Sequence, residues 1–243
     1  FFPEKCPSCG SNTVKDFNES TKKYDAVRRC LNEDFKCEKI AIECLKHFVS
    51  KEALNIDGFG KKIVEKFWNL NLVKLPHDIF SLDFKKIEKL EGWGKLSVSN
   101  LKYAIEKSKK ISLDRFIYAL GIRHIGQENA KLLGQHLISI ENFYDLSKDN
   151  NIKVLLNIDG IGEAQIKSIE TFFSNKINID VLEKLKKIMK IIDVTSSKKD
   201  GILKNKTFMF TGKLKEISRA EAKSLVEQNS GKIISNVNNK LNY

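Results

Sequence analysis

Apolar residues recur along this chain in four blocks that align on Gly60, Gly94, Gly126 and Gly162. Four places before each glycine stands Ile56, Leu90, Ile122 or Ile158, and one place before stands Phe59, Trp93, Ile125 or Ile161. Four places after come Val64, Val98, Ala130 and Ile166, and seven after come Phe67, Leu101, Leu133 and Ile169. An interval of roughly 34 residues marks one supersecondary unit used repeatedly. The offsets of four and seven lie on one helical face, so a helix starts just after each glycine. Before it the chain reads Gly58-Phe59-Gly60, Gly92-Trp93-Gly94, His124-Ile125-Gly126 and Gly160-Ile161-Gly162, a tight hairpin in which glycine supplies positive φ and close backbone approach. The predicted unit is helix, hairpin, helix.

The apolar period is helical from Lys39 to about Val194. Residues 1–38 hold too few apolar side chains for a core. Residues 195–201, Thr195 to Gly201, are polar and without period, which predicts a linker. Over 202–243 the period changes. Thr207-Phe208-Met209-Phe210-Thr211 predicts a buried strand ended by Gly212. Ser218 opens an amphipathic helix with Glu221 in capping-box position, and a second strand follows near Ile233 and Ile234.

Helix starts behind bare turns leave amide N–H groups unpaired at the positive end of the helix dipole, a ready anion site. Lys61, Lys62 and Lys95 follow the first two hairpins and Arg123 lies inside the third, so the same anion would meet cations. Phosphate is the obvious anion. The candidate contacts are Gly58, Gly60, Lys61, Lys62, Gly92, Gly94, Lys95, Arg123, His124, Gly126, Gly160 and Gly162. Glu163 would repel a phosphate at the fourth hairpin, which is expected to serve packing more than binding. Asp57, Glu91 and Asp159 precede three hairpins at one offset. Each is a whole repeat from its counterpart, so bonds to the local turn backbone account for them better than metal or acid-base chemistry.

Charge narrows the partners. The 243 residues carry a formal net charge of +12, which favours nucleic acid or an anionic surface. No stretch is apolar enough to span a bilayer and no signal peptide is visible. The chain opens on Phe1, and the expectation is that it begins inside a longer protein. Cys6-Pro7-Ser8-Cys9-Gly10 is a knuckle whose two thiolates can hold one metal, and Cys30 and Cys37 complete a four-thiolate set of structural-zinc type. A redox Cys-x-x-Cys would need a βαβ context and a disulfide an oxidising compartment. Metal would supply much of this segment's stability. Cys44 is left over and is expected to be buried packing.

Gly-apolar-Gly turns between short helices resemble helix-hairpin-helix DNA-binding motifs. The last 40 or so residues, with a strand, Thr211-Gly212, a helix, Gly231-Lys232 and a strand, resemble the opening of a BRCT domain. In this order, with Val27-Arg28-Arg29-Cys30 and Asn32, His47-Phe48-Val49-Ser50-Lys51-Glu52-Ala53-Leu54 and Tyr118-Ala119-Leu120-Gly121-Ile122-Arg123-His124-Ile125-Gly126, the chain resembles the C-terminal portion of a bacterial NAD-dependent DNA ligase. The Cys30 to Cys37 spacing is slightly longer than that family's. The fold class expected is mainly α: a four-Cys zinc module, four tandem helix-hairpin-helix motifs over 39–194, and a truncated α/β BRCT-like domain.

The resemblance implies an enzyme that seals nicks in duplex DNA during replication and repair, moving AMP from NAD to a lysine and then to the 5′-phosphate. NAD and magnesium would bind outside this chain and zinc within it. It further implies a monomer on nicked duplex DNA, away from membranes, cytoplasmic and nucleoid-associated. Lys198-Lys199-Asp200-Gly201 spells that family's Lys-x-Asp-Gly motif, but a polar linker offers no pocket to activate a lysine, so no catalytic residue is assigned to the chain. Two other readings stand beside this one. A stand-alone, non-catalytic helix-hairpin-helix and BRCT repair scaffold would use the same residues. An iron–sulfur DNA glycosylase would need a catalytic acid after the hairpin and its cysteines at the other end of the fold.

Overall fold

The computed structural model describes residues 3–18, 22–32, 35–148, 150–194, 201–211, 214, 217, 219–234 and 241–243. The expected capping Ser218, the strand-ending Gly212, Lys198-Lys199-Asp200 and most of the expected linker lie outside these residues.

The N-terminal module is built from two short antiparallel ladders. β1 (Thr13–Val14) pairs with β4 (Arg29–Cys30), and β2 (Phe17–Asn18) pairs with β3 (Lys23–Tyr24). Neither ladder covers an apolar core: Val14, Phe17, Tyr24, Val27 and Leu31 all stay exposed. The module depends on something other than hydrophobic burial to hold its shape.

Helices follow. α1 (Glu38–Phe48) and α2 (Lys61–Asn69) flank the first hairpin, α3 (Phe84–Glu88) and α4 (Lys95–Ser108) the second, and α5 (Leu113–Ala119) and α6 (Gln127–Leu137) the third. After α7 (Ile140–Asp145), a 3-10 run over Asn150–Asn157 leads into the fourth hairpin and α8 (Glu163–Ser174), and α9 (Lys176–Ile188) closes the array. The helix entering each later hairpin is shorter than the one leaving it: five residues in α3 against fourteen in α4.

One core runs from Ala41 to Met189 through all of these helices. Val64, Phe67, Leu101, Ala130, Leu133, Ile166 and Ile169, at the +4 and +7 positions of the repeat, are buried in it. Leu113, Phe116 and Ile117 of α5 are wholly buried, and Arg115 on the same helix donates to the Ala53 carbonyl. His47 reaches the Tyr118 carbonyl at 2.7 Å and Tyr144 donates to the Leu182 carbonyl at 2.7 Å, so these polar groups are satisfied inside the array. A parallel pair that periodicity did not predict, β5 (Lys110–Ser112) on β6 (Lys190–Ile192), ties the end of α4 to the end of α9. No helix among the described residues is long and apolar enough to cross a membrane.

The last unit has β7 (Thr207–Phe208) parallel to β8 (Lys232–Ile233), with α10 (Arg219–Gln228) between them in the chain. The ladder is shorter than the expected strand over 207–211. Beyond Phe208 the Met209 amide turns to the Tyr243 carbonyl at 2.9 Å, and the strand positions are half-buried. Gly201, expected at the end of the linker, is buried, and a Cβ there would lie 2.2 Å from the Asn229 carbonyl oxygen. Close backbone packing against the end of α10 requires that glycine.

Candidate nucleic-acid interface and metal centre

The same hydrogen bond closes each hairpin. The amides of Phe59, Trp93, Ile125 and Ile161 donate to the carbonyls of Ile56, Leu90, Ile122 and Ile158 at 3.1, 3.1, 3.0 and 3.0 Å. The third residue of each turn has positive φ: Gly58 at 78°, Gly92 at 82°, His124 at 60° and Gly160 at 92°. Three hairpins therefore use glycine where the turn demands it, and His124 adopts the left-handed region without that freedom. Asn129 Nδ2 donates to the His124 carbonyl at 2.9 Å. The apolar residue between each pair points inward, while the residues on either side of it are exposed.

Gly60, Gly94 and Gly126 are a different case. Their φ values of −70°, −126° and −78° suit any residue, and a Cβ on each would meet nothing within 4 Å. Neither backbone conformation nor internal packing asks for glycine there. Each sits one residue ahead of α2, α4 or α6, and none of these helices has a side-chain cap at that residue. The unpaired first-turn amides of each helix thus open on a bare surface.

Aromatic packing sets the first two hairpins side by side. The Phe67 ring of α2 lies 5.4 Å from Phe59 and 5.6 Å from Trp93, and Lys66 Nζ donates to the Glu91 carbonyl at 2.8 Å. Hairpin four approaches α6, where a Cβ on Gly160 would lie 3.1 Å from Leu132 Cδ1. Lys61, Lys62 and Lys95 are exposed beside hairpins one and two. Asp57 Oδ1 accepts the Gly58 amide at 3.1 Å, the local turn bond expected of it.

Arg123 reaches the Cys module, where its Nη2 donates to Asp16 Oδ2. Its neighbour His124 has its pKa lowered, first by burial and then by the Arg123 charge.

The four cysteines converge. The Sγ atoms of Cys6, Cys9, Cys30 and Cys37 all lie within 4.8 Å of one another, with Cys6 to Cys37 at 3.9 Å and Cys9 to Cys30 at 3.4 Å. Thiolates bound tetrahedrally at about 2.3 Å stand about 3.8 Å apart, so this donor set fits one zinc ion. The separations are far beyond a disulfide bond of about 2.05 Å. The knuckle is closed by the Gly10 amide on the Cys6 carbonyl at 2.9 Å, with Gly10 at φ 73°. Cys30 comes from β4 and Cys37 precedes α1, so the metal would lock the ladder onto the helical array. Asn32 Nδ2 lies 3.7 Å from Cys9 Sγ and donates to Ser11 Oγ at 2.8 Å, an outer partner that orients the ligand. Hydrogen bonds from Ser11 hold the Cys9 thiol down to about 6, and desolvation pushes Cys30 up to about 12.

Residues 115–182, which hold hairpins three and four, match the helix-hairpin-helix motif. The chain is 68% identical over its whole length to a protein named DNA ligase from Pelagibacter ubique (strain HTCC1062), covering 36% of that protein. It is 42% identical, again over all of its length and 36% of the relative, to the DNA ligase of Wolbachia pipientis wMel. Against the DNA ligase of Rickettsia bellii (strain RML369-C) the figures are 41% identity, 97% of this chain and 35% of the relative. The chain spans little more than a third of the length of these curated relatives. Matched from end to end, it is homologous to the C-terminal part of the bacterial proteins named DNA ligase.

Proposed function

We propose that the chain is the DNA-gripping part of an NAD-dependent DNA ligase that seals nicks in duplex DNA, and that the adenylation chemistry, with NAD and magnesium, belongs to the remainder of the protein. The observation that carries this reading is the set Gly60, Gly94 and Gly126, glycines that neither φ nor packing explains. A surface kept free of side chains at a helix start suits the close approach of a backbone phosphate to amide donors.

In this reading four helix-hairpin-helix motifs over 39–194 hold phosphates without regard to base sequence. Gly58, Gly92, Gly160 and His124 shape the turns. Gly60, Gly94 and Gly126 keep the approach open, while Gly162, followed by Glu163, serves packing at the fourth hairpin more than binding. Lys61, Lys62 and Lys95 add charge-assisted bonds. The pairing of hairpins one and two through Phe59, Phe67 and Trp93 lets adjacent phosphates be held by one rigid unit. Cys6, Cys9, Cys30 and Cys37 hold a structural zinc that fixes the fold of residues 1–38. Residues 202–243 form the opening of a BRCT-like domain, joined by the segment 195–201. The assembly acts as a cytoplasmic monomer on DNA.

The test is fluorescence anisotropy of the chain on nicked and intact duplexes across a salt series. The expected result is binding indifferent to sequence, with a log-log salt slope that flattens by about 0.9 for each phosphate that Gly60→Val and Gly126→Val release. A folded double variant with an unchanged slope would refute it.

A further inference from the structure

We propose that Arg123 couples metal loading of the four-cysteine module to the geometry of the third hairpin, acting as a positioning residue rather than as a phosphate ligand. The proposal rests on the zinc reading of the cysteines and on the hairpin as a binding element.

Two carboxylates and two guanidiniums meet at the junction. Arg123 Nη2 donates to Asp16 Oδ2 and lies 3.9 Å from Asp25 Oδ2. Arg29 closes the other side, with Nε 3.3 Å from Asp16 Oδ2 and Nη2 3.3 Å from Asp25 Oδ2. The two acids are held together by the backbone, since the Asp25 amide donates to the Asp16 carbonyl at 2.7 Å. Asp16, Asp25 and Arg29 all lie between Cys9 and Cys30 in the chain, and Arg29 directly precedes Cys30 on β4. The part of the module that presents the acids is thus the loop that two cysteine ligands would close.

The hairpin side shows the matching departure. At the second position of the turn the other hairpins carry Asp57, Glu91 and Asp159, and the third carries Arg123, a reversal of charge. At the next position the others carry glycine and the third carries His124 at φ 60°. Only the third hairpin is bound to the module in this way among the described residues. Besides the backbone bond that closes all four turns, the third turn is thus tied to the module through Arg123.

Coupling of this kind is reciprocal. Closing the Cys9 to Cys30 loop on zinc fixes Asp16 and Asp25, which fixes Arg123 and the turn bond from Ile125 to Ile122. A fixed Arg123 in turn favours the closed loop and raises zinc affinity.

The test uses the chain itself and zinc, with three readouts: zinc stoichiometry, zinc affinity by competition with a chromophoric chelator, and hydrogen exchange of the Ile125 amide with and without zinc. Arg123→Gln and Asp16→Asn should each weaken zinc about fivefold or more. The double variant should be no worse than the weaker single one. Zinc should slow Ile125 exchange in the native chain and leave it unchanged in Arg123→Gln. Native-chain exchange that ignores zinc, in a chain that binds one zinc, overturns the coupling alone and needs no variant to fold. A chain that takes up no zinc overturns both the coupling and the metal reading.

Discussion

Ser97 folds back on Gly94: its Oγ accepts the Gly94 amide at 2.9 Å and donates to the Gly94 carbonyl at 2.9 Å. Gln165 covers the Gly162 amide in the same way, through Oε1 at 3.1 Å. Among the described residues Gly60 and Gly126 have no such cover. The four hairpins are alike in backbone but not in the donors they leave open. Gly60→Val and Gly126→Val should therefore weaken duplex binding and flatten its salt slope by about 0.9 per phosphate released, while Gly162→Val leaves both unchanged. Each added side chain enters open space at Gly60 and Gly126, so folding should cost no more than about 1 kcal/mol. Anisotropy titrations across a salt series, with a thermal melt as control, would decide; equal effects at all three positions would contradict the ranking.

His124 and Gly58 occupy equivalent turn positions with φ of 60° and 78°. A side chain in the left-handed region costs roughly 1–2 kcal/mol. Gly58→Ala should lower stability by about 1 kcal/mol, or about 2–4 °C for a chain of this size, although its Cβ would touch nothing. His124→Gly should not lower it. Melting temperatures in the opposite order would show that the His124 ring contributes more than its backbone strain takes away.

Local rules were legible in the sequence and distant pairings were not. The hairpins could be read because their requirements, an inward apolar residue and a positive φ, fall within a few residues and repeat. The cysteine quartet could be read because metal chemistry constrains spacing. The Arg123 to Asp16 bond joins residues 107 positions apart, and nothing at either site announces the other. In the sequence Arg123 offers itself only as a phosphate ligand, and its bond to the module was not foreseen. The β5 and β6 pair escaped because three-residue strands show no period. The caps from Ser97 and Gln165 were visible in principle, each standing three residues after its glycine, the spacing of a capping box. The strand over 207–211 was over-read because an apolar run says that a segment is buried, not how far its ladder extends.

The five cysteines divide into two chemical groups. Four gather into one donor set, whereas Cys44 on α1 is apart from them, half-buried rather than the fully buried packing expected of it, and desolvation pushes its thiol up to about 11. In the zinc-loaded chain at mildly alkaline pH, a thiol reagent should react slowly with all five. Chelation should release four fast-reacting thiols and leave Cys44 protected until denaturant is added, because the array's core from Ala41 to Met189 does not need the metal. Colorimetric thiol counting, with circular dichroism to confirm retained helix, checks this. Five fast thiols on chelation alone would mean that zinc holds the helical array as well as the module.

Acid should open the junction in a defined window. The Arg123 hydrogen bond, with the charges of Arg123 and Arg29, holds the Asp16 carboxyl below its ordinary value. A carboxyl with a depressed folded-state pKa stabilises the fold fully above its unfolded value, about 3.9, and loses that contribution as pH falls through the folded value. The groups facing Asp16 are Arg123, Arg29, Asp25 and, through its electrostatic field, His124. Both arginines stay charged throughout, and His124, with its lowered pKa, is neutral above about pH 6.5. The difference in urea midpoint between the native chain and Asp16→Asn should be flat from about pH 8 to about pH 7. Between about pH 6.5 and about pH 4 only protonation of His124 changes it, in the direction that favours an ionised Asp16. Below about pH 4 the difference should close, since a protonated Asp16 and an asparagine carry the same charge. A difference that does not shrink as pH falls below about 4 would place the effect of Asp16 in its shape rather than its charge, and the salt bridge would then not be what joins the module to the hairpin.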